Sequence, residues 1–216
     1  MHKKLQILYH LKLLQWLGTE YMNPLNLESS TLPQLPNDLE KLREIVSQCH
    51  LCDLSKTRKN VVFGEGDPHA KLMFVGEGPG ATEDETGRPF VGRAGQLLTK
   101  MIENVLEIPR SKVYIANIVK CRPPGNRVPT PQEAHTCIPY LWKQIEIINP
   151  RIIVALGATS YQYLTGDKTP ITKVRGEMID FQGRILIPTF HPSFLLRNPS
   201  KKREVYEDLL KIKELL

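Results

Sequence analysis

The chain carries four cysteines, Cys49, Cys52, Cys121 and Cys137, arranged as a Cys49-x-x-Cys52 pair, 68 intervening residues, Cys121, 15 further residues and Cys137. Four thiolates complete a tetrahedral shell around zinc or cap the four irons of a cubane cluster, and one isolated C-x-x-C suits either. Either centre would tie the segment at Cys49 to the loop at Cys121, which is a structural duty first. Three other groups could do chemistry: Gly76-Glu77-Gly78-Pro79-Gly80, Asn117 with the following Cys121-Arg122-Pro123-Pro124-Gly125-Asn126-Arg127, and His191-Pro192-Ser193. The Asn117 amide both donates and accepts, His191 can donate to developing negative charge, and Glu77, Glu83 and Asn126 can hold or polarise water.

Gly76-x-Gly78-x-x-Ala81 also matches the looser dinucleotide-binding fingerprint. Three details disfavour that reading. Pro79 stiffens the turn and removes an amide donor. Glu83-Asp84-Glu85 puts carboxylates where a pyrophosphate would sit, and the expected acidic residue about 20 positions on falls inside a helical pattern. No Gly-Lys-Ser/Thr follows, so a P-loop is absent. A tight strand-to-loop turn is the plain alternative.

The elements that must position these groups follow from periodicity. Strands are predicted at Lys71–Gly76, Lys112–Val119, Arg151–Leu156 and Arg184–Thr189, and helices at Gly95–Leu106, Gln132–Ile148, Ala158–Leu164 and Ser200–Leu216. Asn37 or Asp38 caps an earlier helix that runs into Cys49. Alternating strands and helices predict an α/β three-layer sandwich whose central, mainly parallel four-stranded sheet is flanked by helices. In such sheets ligands bind beyond the carboxyl ends of the strands, and each group named above follows a strand. Residues 1–36 read separately, as a helical extension through Trp16 and Leu17 and then a Pro-, Ser- and Asn-rich linker, leaving 37–216 as the main domain.

With 216 residues, 41% of them hydrophobic and 24% charged, the composition is that of a globular chain, neither collagen-like nor disordered overall. The formal charge of +6 favours a polyanionic partner such as nucleic acid. No apolar stretch is long enough for a membrane span. Lys12 interrupts the N-terminal apolar run and no small-residue cleavage site follows, so no signal peptide is expected. The expected compartment is the cytoplasm, where cysteines hold metal or do redox chemistry rather than form disulfides.

Taken in order, the motifs resemble those of the iron-sulfur uracil-DNA glycosylases, the thermophile-type family 4. The resemblance is carried by Gly76-Glu77-Gly78-Pro79-Gly80, by Thr86-Gly87-Arg88-Pro89-Phe90-Val91-Gly92-Arg93-Ala94-Gly95-Gln96-Leu97-Leu98, by Asn117-Ile118-Val119-Lys120-Cys121-Arg122-Pro123-Pro124, and by His191-Pro192-Ser193-Phe194-Leu195-Leu196-Arg197. It covers about residues 37–216. It implies hydrolysis of the bond between uracil and deoxyribose in DNA, a 4Fe-4S cluster on Cys49, Cys52, Cys121 and Cys137 in preference to zinc, and a monomer acting on uracil-containing DNA. It further implies that Phe90 stacks on the base, Asn117 selects it, His191 stabilises charge on uracil O2, and Gly76 and Gly78 shape the pocket. Glu77 and Asn126 would hold water, with Glu83 as a wall near uracil C5. Leu195 and Leu196 would form a wedge into the vacated base stack, with Ser193 and Arg197 on phosphate. Many uracil glycosylases place an aspartate where Gly78 stands, so no strong general base is evident. A non-catalytic DNA-binding module of the same fold is the competing reading. What residues 1–36 bind is not legible.

Overall fold

Apolar runs without alternation become inner strands, and the computed structural model, which describes residues 35–216, shows where they lie. Six strands form one sheet: Glu65–Gly66 (β1), Leu72–Gly76 (β2), Tyr114–Asn117 (β3), Ile152–Leu156 (β4), Ile179–Phe181 (β5) and Arg184–Thr189 (β6). Their order is β1-β3-β2-β4-β6-β5, with β3, β2, β4 and β6 parallel and both edge strands antiparallel. The expected four-stranded sheet is therefore a correct inner sheet that misses two edges. At two and three residues, β1 and β5 are too short for any alternation to show.

Every residue of β2, β3 and β4 is buried, as in a parallel sheet covered on both faces. The covering helices are Leu39–Ser47 (α1), Ala81–Thr86 (α2), Arg93–Met101 (α3), Pro131–Ile148 (α4), Ala158–Thr165 (α5), Ile171–Val174 (α6), Pro192–Arg197 (α7) and Lys202–Glu214 (α8). Asp38 starts α1 by accepting the Lys41 N–H at 2.8 Å. Thr130 and Glu133 form a capping box at the start of α4, with Pro131 at its first position.

Alternate side chains of the strands face opposite layers. Leu72, Phe74, Ile115 and Val154 pack with Leu98, Ile102, Leu195, Val205 and Leu209 in one core, which joins α3, α7 and α8 to the sheet. On the other face the Tyr114 hydroxyl meets Gln144 of α4, and α1 packs on α4. The helix expected over Gly95–Leu106 starts two residues earlier and widens into a π turn over Ile102–Leu106, with Ile102 and Leu106 both buried across it.

Pro36–Leu216 forms one compact unit. The expected N-terminal helix lies outside the described residues. Among the described residues no helix is long and apolar enough to cross a membrane.

Candidate active site and cysteine centre

Parallel pairing places Gly76, the last residue of β2, beside Asn117, the last residue of β3. A Cβ on Gly76 would sit 2.4 Å from Asn117 Oδ1 and 2.4 Å from Phe90 Cζ, so only glycine lets both side chains close over this strand end. Phe90 takes a positive φ of 51°, a strained setting for a bulky residue, and its surroundings hold it there. Arg110 donates to the Phe90 carbonyl at 3.0 Å and the Pro89 carbonyl at 2.6 Å. Gly95 of α3 packs so tightly on the same backbone that a Cβ would lie 1.9 Å from the Phe90 carbonyl carbon. The Phe90 and His191 rings stand 5.7 Å apart, tilted by 37°.

Gly76, Phe90, Asn117 and His191, named from four separate motifs, thus meet at one place. Asn117 is buried, and its Oδ1 has no hydrogen-bond partner among the described residues. A buried acceptor left free in this way is poised for a ligand donor.

His191 caps α7 and is partly buried. Its Nδ1 accepts the Ser193 N–H at 3.1 Å and lies 2.8 Å from Ser193 Oγ. An Nδ1 that accepts a backbone donor carries no proton, so the neutral ring has its proton on Nε2. Burial, reinforced by the Arg197 charge, pulls the imidazole down from 6.5 to about 4. At neutral pH the ring is an uncharged donor.

Glu77 accepts from Thr159 Oγ1 of α5 at 2.5 Å, and Gly157, the residue just before α5, lies against the His191 side chain. The Glu83 carboxylate is occupied by backbone: Oε1 takes the Val91 and Gly92 amides at 2.9 and 2.8 Å, and Oε2 takes Gly80 at 3.2 Å. Glu83 thereby clips the glycine turn to the loop that carries Phe90. Gly78 faces Val119, the loop leading to the third cysteine. Asn126 is exposed on the turn at Pro124–Asn126, where its Oδ1 accepts Arg122 Nε at 2.7 Å.

The wedge expectation needs correction. Leu195 is 1% exposed and belongs to the hydrophobic core, while Leu196 is 38% exposed. Leu196 alone of the pair can reach a partner, beside the exposed Arg197.

Cys49, Cys52, Cys121 and Cys137 line one cavity together with Val46, Leu51, Arg58, Lys120 and Tyr140. Cys49 and Cys52 follow α1, Cys121 follows β3, and Cys137 lies in α4. Donors point at the sulfurs: Arg58 Nη1 to Cys121 at 3.2 Å, the Lys120 amide to Cys137 at 3.3 Å, and the Tyr140 hydroxyl to Cys49 at 3.6 Å. Burial pushes the Cys52 and Cys121 thiols up, and Cys137 to about 12, a cost that a bound metal would reverse by ionising them outright. Four sulfurs, N–H donors and an apolar wall fit a thiolate-held centre. Among the described residues, no three His, Cys, Asp or Glu side chains converge closely enough to hold one metal ion.

Sequence reasoning missed Arg110, Thr159 and Lys120. Arg110 reads as part of a basic turn and Thr159 as an ordinary helix residue, so neither shows a local signal. Lys120 lies inside the Asn117–Cys121 motif but has no chemistry until its burial is known. Its Nζ donates to the Asn117 carbonyl at 3.0 Å and to Gln144 Oε1 at 2.5 Å, and burial pulls it down to about 8.

A family model described as "Uracil DNA glycosylase superfamily" matches residues 63–210. The type-4 uracil-DNA glycosylase of Thermotoga maritima is 55% identical over 82% of this chain and 96% of its own length. That of Sulfurisphaera tokodaii is 48% identical over 83% of this chain and 85% of its own. For Saccharolobus solfataricus the figures are 45%, 83% and 87%. With that family model spanning residues 63–210 and relatives 45–55% identical over more than four fifths of its length, this chain belongs to the uracil-DNA glycosylase superfamily.

Proposed function

We propose that this chain excises uracil from DNA by hydrolysing its N-glycosidic bond, the opening step of base excision repair, and that its four cysteines hold a 4Fe-4S cluster. The observation that carries the reading is the buried, unpartnered Asn117 Oδ1 beside Phe90 and a neutral His191.

A base inside a duplex is out of reach, so the nucleotide must be extruded into the pocket. Phe90 offers its face to the flat ring. Asn117 Oδ1 accepts uracil N3–H while Nδ2 donates to O4; cytosine presents the reverse pattern and leaves both groups opposed. As the bond breaks, negative charge gathers on uracil O2 and positive charge on the sugar. The Nε2–H of His191 meets the first, and a neutral donor does so without surrendering a proton it would have to regain. Glu77, steadied by Thr159, holds the attacking water and faces the cationic sugar. Asn126, on the exposed turn Pro124–Asn126, would be a second water-holding group. Glu83 shapes the pocket by fixing the loop of Phe90, and Leu196 enters the vacated stack with Ser193 and Arg197 near phosphate.

Bound to Cys49, Cys52, Cys121 and Cys137, the cluster would supply a cross-link between α1, the loop after β3 and α4. Gly78 and Asn117 both adjoin that loop, so the centre braces the pocket without entering the reaction.

The deciding assay uses oligonucleotides carrying uracil, thymine opposite guanine, or no lesion. Alkali-labile abasic sites should form at uracil and not at thymine. Their absence at uracil, with DNA binding intact, would return the chain to a non-catalytic module. Iron analysis should give about four irons per chain with broad visible absorbance.

A further inference from the structure

Lys120 is 1% exposed, among the most deeply buried side chains of the protein. Its Nζ meets two neutral oxygens, the Asn117 carbonyl at 3.0 Å and Gln144 Oε1 at 2.5 Å. Among the described residues no carboxylate is paired with it, and the ionisable groups that act on it are the Cys137 and Cys121 thiols. The same residue lines the cysteine cavity, and its backbone N–H reaches Cys137 Sγ. A fully buried ammonium without an opposite charge is strongly destabilising. Four thiolates around either four irons or one zinc carry a net negative charge.

We propose that Lys120 is the built-in counter-charge of the loaded four-cysteine centre. It sits on the protein side of the cavity, bolted to β3 through Asn117 and to α4 through Gln144. The loaded centre neutralises the lysine, and the lysine holds the loaded centre. This role rests on the reading that the cysteines bind a metal centre, and it does not depend on whether the enzyme excises uracil.

The test follows cluster release from the loaded, full-length protein, read as bleaching of visible absorbance in the presence of an iron chelator. Lys120→Met removes the charge at nearly constant volume, and Gln144→Glu sets a competing carboxylate against the same ammonium. Both should bleach on the order of 10-fold faster than the parent. Gln144→Leu removes the amide's hydrogen bonds to Lys120, Phe63 and Tyr114 and adds no charge, so it should bleach more slowly than Gln144→Glu. A purely structural role for this contact would accelerate Gln144→Glu and Gln144→Leu alike. Equal rates for those two variants, or parental rates for both Lys120→Met and Gln144→Glu, overturn the proposal. If Lys120→Met does not fold, the two Gln144 variants decide. A parent containing zinc and no iron refutes the cluster alone; zinc release to a colorimetric chelator then replaces bleaching, because the thiolate shell is just as anionic.

Discussion

The Ser193 backbone N–H donates to His191 Nδ1 at 3.1 Å, and that one bond determines which nitrogen of the ring faces the pocket with a proton. It requires a neutral imidazole, in agreement with a ring pulled down to about 4 by burial. A histidine whose native value lies below its ordinary 6.5 binds its proton more readily when unfolded. Its contribution to stability is therefore complete above about pH 6.5 and is lost as pH falls through about 4. Melting temperature should decline over that window in the parent, and the decline should be shallower in His191→Gln. Uracil excision should hold its His191-dependent rate down to about pH 5. A rate that falls with a midpoint near 6.5 would show that the ring is not buried as described.

Base selection and bond cleavage should separate by mutation. Asn117→Asp replaces the donor facing uracil O4 with a second acceptor, and uracil excision should fall by on the order of 10². Cytosine's exocyclic amine gains an acceptor, so a trace of cytosine excision is expected in long incubations. His191→Ala should lower single-turnover rate more than it weakens binding of uracil-containing DNA.

Thr159 donates its hydroxyl to the proposed water-holding carboxylate. Thr159→Val should lower kcat by roughly 10-fold with KM nearly unchanged, and Thr159→Ser should restore it, because only the hydroxyl is needed. Equal rates for Val and Ser would detach Glu77 from the chemistry.

Gly95→Ala places a methyl group 1.9 Å from the Phe90 carbonyl carbon. Overpacking of this kind costs about 1–3 kcal/mol or more, and urea unfolding should report it. The same variant should lose uracil binding, since the strained Phe90 backbone has nowhere to move except out of register with Asn117. A stable, active Gly95→Ala would mean that Phe90 is not held by this contact.

Sequence alone determined the inner sheet, because four buried parallel strands must be apolar on both faces and so announce themselves as short unbroken runs. It also determined where chemistry collects. In a parallel sheet every strand delivers its carboxyl end to the same edge, so Gly76, Asn117 and His191 had to assemble once their strands were placed. Tertiary structure decided what each polar atom is bonded to. Glu83 and Glu77 are carboxylates six residues apart, yet one is saturated by the Val91, Gly92 and Gly80 amides while the other takes a single hydroxyl from α5. Leu195 and Leu196 are chemically identical neighbours, and the 100° step between successive residues of α7 buries one and exposes the other. Lys120 was a cation in a motif until burial joined its Nζ to the Asn117 carbonyl and Gln144 and its backbone N–H to Cys137. Such assignments depend on partners from 3 to 82 residues away in the chain, and no local pattern says which of them close.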